Sequence, residues 1–167
     1  MLSKIFFFTF GCIILLLYGC SSYFGKNEHL TIAPQTLAQN SRMVLLSSQD
    51  SKLKIAARLT YLNEIDSSIF HGREYFFLEI FNDDENIVLP DSMQLTMFNR
   101  KPLWIRQINQ KELDDMLVLE NDLSDGYLIA FRRANAFEQK KIQIALSLPN
   151  YRVGVFDFSY ILLKTKL

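Results

Sequence analysis

Residues 74–82 carry Tyr75-Phe76-Phe77-Leu78-Glu79-Ile80-Phe81, a run that is apolar on both faces of any strand it forms. Successive side chains of an extended chain point to opposite sides. Tyr75, Phe77 and Phe81 therefore share one face, and Phe76, Leu78 and Ile80 share the other. An edge strand with one solvated face would leave one of these rows in water. The run fits a central strand, with one face in the core and the other under a helix or loop. The competing reading keeps Tyr75, Phe77 and Phe81 exposed as an aromatic partner surface.

The flanking segments have the period of strands. In residues 52–62, Leu53, Ile55, Ala57, Leu59 and Tyr61 alternate with Lys52, Lys54, Arg58 and Thr60, the signature of a half-buried strand. Residues 141–148 alternate in the same way, with Ile142, Ile144, Leu146 and Leu148 on one face. Residues 153–163 place Phe156, Phe158, Tyr160 and Leu162 together, and residues 127–132 form one more apolar run. Residues 93–98 and 103–108, joined by Asn99-Arg100-Lys101-Pro102, have the spacing and turn chemistry of a hairpin. Residues 35–47 fit either a short helix or a first strand. Seven to eight strands at intervals of about 10 to 15 residues, with no long helical period after Ser51, predict a mainly β fold. The expected architecture is a single antiparallel β-sandwich, immunoglobulin-like or transthyretin-like in outline.

The N-terminus has a different character. Lys4 precedes an almost unbroken apolar run from Ile5 to Tyr18, about 14 residues, too short for the roughly 20 that span a bilayer. Small Gly19 follows, then Cys20, Ser21 and Ser22. A charged start, an apolar middle and a small residue at the end make a secretory signal. Leu17-Tyr18-Gly19-Cys20 resembles the lipobox of bacterial lipoproteins, with Leu17 at the aliphatic position and Gly19 at the small one. Tyr18 departs from the small or β-branched residue common there. The resemblance covers residues 1–22 and implies cleavage before Cys20, a diacylglyceryl group on its sulfur and, in many bacteria, an N-acyl chain. Ser21 and Ser22 stand where an inner-membrane retention signal places Asp, which implies the outer membrane, periplasmic face. Two or more acyl chains anchor stably, each buried methylene contributing about 0.8 kcal/mol.

The expected organisation is a signal at 1–19, a lipidated N-terminus and tether at 20–35 and a β domain at 36–167. A flexible tether of that length has a root-mean-square span of roughly 20 Å. The other cysteine, Cys12, lies within the signal, so the mature domain would hold neither thiol nor disulfide. Its stability would come from its core, and a chain of this size buries about 70% of its unfolded surface.

Composition argues against several functions. With Lys4 removed, 17 basic side chains face 18 acidic ones without a basic stripe, so nucleic acid is not an expected partner. Glu112, Asp114, Asp115, Glu120, Asp122 and Asp125 concentrate six carboxylates in 14 residues. Leu123 and Arg132, however, occupy positions where a calcium loop needs oxygen ligands, so the stretch reads as a solvated loop. Ser51-Lys52-Leu53-Lys54 matches S-x-x-K in form only, since it lies on a strand pattern without companion motifs. Trp104 reads as an anchor in or at the rim of the core. There is no nucleophile elbow, zinc-binding H-E-x-x-H or phosphate-cradling glycine loop. The expectation is no catalytic residue, no metal and no cofactor. It is of a non-enzymatic envelope or secretion-system accessory that docks a protein partner; the alternative is a binding module or carrier for a hydrophobic or glycan ligand.

Overall fold

The computed structural model describes residues 34–48, 54–81, 90–108 and 124–159. Cys20, Leu17, Gly19, residues 20–33 of the expected tether and most of the acidic stretch lie outside them. So do residues 160–163, the end of the last expected strand.

The segment that fitted either helix or strand is both. Helix α1 (Pro34–Gln39) gives way at Asn40 to strand β1 (Ser41–Ser47). Asn40 accepts no further turn: its backbone N–H bonds back to Thr36 and Leu37, and its carbonyl accepts from the Tyr61 N–H, so the chain is already committed to the sheet. Strand β2 (Lys54–Tyr61), strand β3 (Arg73–Phe81), strand β4 (Gln94–Met97), strand β5 (Trp104–Ile108), strand β6 (Ser124–Arg132), strand β7 (Gln143–Ser147) and strand β8 (Gly154–Asp157) follow. They make two antiparallel sheets, one of five strands in the order β1-β2-β3-β6-β5 and one of three in the order β4-β7-β8.

Strand β3 lies at the centre of the large sheet, as its two apolar faces require. Phe76, Leu78 and Ile80 join Ile55, Leu59, Tyr127 and Ile129 in a buried cluster that also takes Leu95, Met97, Ile144, Leu146 and Phe156 from the small sheet. Tyr75 and Phe77 enter a second cluster with Leu62, Phe70, Ile108, Leu128 and Ala130, covered by Leu37 of α1, Ile65, Ile69 and Trp104. The apolar faces expected in β2 and around β7 are inward where the structure describes them, with Ile55, Ala57, Leu59, Tyr61, Ile142, Ile144, Leu146 and Leu148 all buried. Thr60 of the expected polar face is buried too, and Leu53 lies outside the described residues.

The expected hairpin of residues 93–108 needs correction. A tight turn does form, but one position earlier, with Met97 and Arg100 exchanging backbone hydrogen bonds around Phe98 and Asn99 at φ 52° and 61°. The strands on either side then part. Strand β4 pairs with β7, whereas β5 pairs with β6, so the chain passes from one sheet to the other. Pro102 has no N–H to continue a ladder, and the Leu103 N–H bonds to Ala130 of β6 at 2.8 Å. Turn chemistry was legible; the destination of the second strand depended on a competing partner far along the chain.

At one edge the two sheets meet. Ser48 bridges Tyr151, the Arg152 N–H donates to Ser47, and the Arg42 Nε donates to the Asp157 carbonyl at 2.8 Å. Gly154 is needed there, because a Cβ would stand 2.5 Å from Leu46 Cδ2 and 2.9 Å from Val44 Cγ2.

Candidate functional site

Glu74 is the first inward-facing residue of β3, in phase with Phe76, Leu78 and Ile80, and it is buried. A buried carboxylate needs donors. One Glu74 oxygen accepts from the Tyr61 hydroxyl and the other from the Ala134 N–H at 2.9 Å. Burial pushes the Tyr61 phenol far above its ordinary value, and the Glu74 charge and hydrogen bond push the same way, so Tyr61 stays a donor. Its ring stacks on Phe76 at 4.8 Å and tilts against Phe158 at 5.9 Å. The polar pair thus closes one end of the shared apolar cluster.

The approach to β3 is pinned by one side chain. The Asn63 amide donates to the carbonyls of Phe70 at 3.0 Å and Arg73 at 2.7 Å, and its oxygen accepts from the Tyr75 N–H at 2.7 Å. Within this loop Asp66 accepts from the Ser68 and Ile69 N–H groups, and Gly72 turns the chain at φ 78°. The loop, the start of β3 and the segment after β6 enclose a cleft of about 330 Å³. Tyr61 and Glu74 lie in its wall, and His71, Arg73, Arg133 and Gln139 are among its other lining groups. The cleft is lined largely by polar side chains.

A search of family models, curated proteins and solved structures returns no match to this chain.

The aromatic partner surface read from the sequence also needs correction. Tyr75 is 2% exposed and Phe77 0%, because α1, the 62–70 loop and Trp104 cover that face. Tyr75 packs against Phe70 at 5.7 Å and Trp104 at 6.2 Å, which makes Trp104 an anchor of the second cluster. Phe81 is half-buried under the Arg58 guanidinium, 5.8 Å from its ring centre. That same guanidinium pairs with buried Glu79 at 2.6 Å, its register partner on β3.

Apolar surface is exposed elsewhere. On the outer face of edge strand β1, Met43 is 58% and Leu45 64% exposed, and near it Val153 and Val155 are 60% and 53% exposed. No single segment gave warning of this, since residues 43–46 are apolar throughout and only the pairing of β1 decides which side faces outward. The cleft had one signal in the sequence: Glu74 in phase with three core residues. Arg73, Arg133 and Asn63 had none. Among the described residues no group of three or more His, Cys, Asp or Glu is placed to hold a metal ion, and no helix is long and apolar enough to cross a membrane.

Proposed function

We propose that the chain is a lipid-tethered lipoprotein on the periplasmic face of the bacterial outer membrane, anchored through Cys20, whose two sheets form one β-sandwich that docks a protein partner. It carries out no chemistry of its own. The immunoglobulin-like or transthyretin-like outline belongs to this proposal, supported by the cluster that draws on both sheets. The observation that carries the docking reading is the exposed apolar face of β1. Met43 and Leu45 point outward from β1 beside exposed Val153 and Val155, and a group of large apolar side chains left exposed marks a surface for a partner.

The test places a photo-crosslinking residue at Leu45 and, separately, at exposed Lys140, in intact cells. A discrete adduct from position 45 and none from 140, with the purified partner failing to rebind a folded Leu45→Lys variant, supports the reading. Full rebinding by Leu45→Lys removes β1 as the docking element.

The cleft favours a second reading, a binding module for a polar ligand. Its charged and amide side chains suit a group with several hydrogen-bonding atoms.

A further inference from the structure

The register of β3 and β6 concentrates positive charge at one end of the large sheet. Arg73 pairs directly opposite Arg132, and Arg133 follows at once. Like charges directly opposite on neighbouring strands are unfavourable, and all three arginines are exposed. Among the described residues, none of the three guanidinium groups forms an ion pair or hydrogen bond. Both Glu74 oxygens accept from other donors, Tyr61 and the Ala134 N–H, so Glu74 pairs with none of the three while its charge stays in the cleft wall. Glu64 is the other acidic group of the cleft lining, so two carboxylates stand there with two guanidinium groups.

Arg73 and Arg133 both line the 330 Å³ cleft, together with His71 and Gln139. The His71 Nδ1 lies 3.0 Å from the Ser68 carbonyl, which fixes the ring and leaves Nε2 as its other polar atom. The wall behind these groups is preorganised by the Tyr61–Glu74 pair and the three hydrogen bonds of Asn63, so a ligand would not have to order it. Guanidinium groups match the oxygens of carboxylate and phosphate with paired hydrogen bonds.

We infer that this cleft binds a small ligand through an oxyanion, a phosphate or a carboxylate, held by Arg73 and Arg133. The inference rests on the second reading, that the cleft takes a polar ligand, and names the chemistry of that ligand. It is independent of partner docking at β1.

The experiment is calorimetric titration of the full acylated chain in a non-ionic detergent, at constant ionic strength, with sodium phosphate, sodium glucuronate and glucose. Saturable binding of phosphate or glucuronate, weakened at least tenfold in the Arg73→Gln/Arg133→Gln double variant, supports the site. Which of the two anions binds identifies the source of the charge. The double variant should unfold at no lower a temperature than the parent chain, since both side chains are exposed and Arg73→Gln removes the repulsion with Arg132. Arg132→Gln, outside the cleft lining, should weaken binding less than the double variant. Equal loss in Arg132→Gln would indicate diffuse attraction and overturn the site. Glucose binding as tightly as glucuronate would keep a polar-ligand cleft and overturn the oxyanion. No saturable response to any of the three would overturn both.

Discussion

Glu74 and Tyr61 illustrate how one polar pair closes an apolar core. Glu74 sits in the row of Phe76, Leu78 and Ile80, and the arrangement is tolerable because each carboxylate oxygen has a donor. Tyr61→Phe keeps the stacking on Phe76 but leaves a buried oxygen without its partner, so we expect a loss of about 1–3 kcal/mol, measurable by urea denaturation. Two other carboxyl groups make stability depend on acidity. Hydrogen bonds from Ser68, then from the Ile69 N–H, hold Asp66 below its ordinary 3.8. Hydrogen bonds from Ser159 and Gln143, with Arg42 nearby, do the same for Asp157. A carboxyl with a depressed folded pKa stabilises fully above its unfolded value, and that contribution is lost as pH falls through the folded value. The urea midpoint should therefore fall on acidification below about pH 4, and Asp157→Asn should flatten that fall. A pH dependence identical in Asp157→Asn would show that Asp157 takes no part.

Among the elements, β3 shows what an apolar pattern specifies and what it leaves open. Two apolar faces placed it correctly at the centre of a sheet, and that position is why Tyr75 and Phe77 are core residues and unavailable as a partner surface. The pattern could not name what covers each face, because α1, the 62–70 loop and Trp104 are remote in sequence and carry no mark of their destination. Glu79 lies on the same buried strand, and its pairing with Arg58 follows from the β2–β3 register alone. The edge where β1 meets β8 depends on the missing side chain of Gly154. Gly154→Ala would press its Cβ against Leu46, which is buried, and Val44, whose branched Cβ makes it stiff. We expect a loss of about 1–3 kcal/mol. A thermal unfolding temperature equal to the parent's would mean that β1 and β8 separate there at no cost.

For the whole molecule, location and fold have separate origins. The proposed anchor depends on one sulfur, so Cys20→Ser should leave the domain folded and move it from the membrane fraction to the soluble envelope fraction, with loss of metabolic labelling by a palmitate analogue. Retention in the membrane fraction without label would point to an unprocessed apolar N-terminus instead. The cleft and the β1 face draw their residues from separated stretches: Tyr61, Asn63, Arg73 and Arg133 in one case, and Met43, Leu45, Val153 and Val155 in the other. The sequence by itself determined that the fold is mainly β, that β3 is central and which residues of β2, β3 and β7 point inward, because alternation is a local property that burial reads directly. The proposed lipid site at Cys20, outside the described residues, likewise rests on order along the chain. Only the tertiary structure decided that β4 and β5 belong to different sheets, that Tyr75 and Phe77 are covered, and that three arginines gather beside a satisfied buried carboxylate. Each of these outcomes depends on which distant strand supplies the hydrogen bonds, and many partners compete for a strand of ordinary composition.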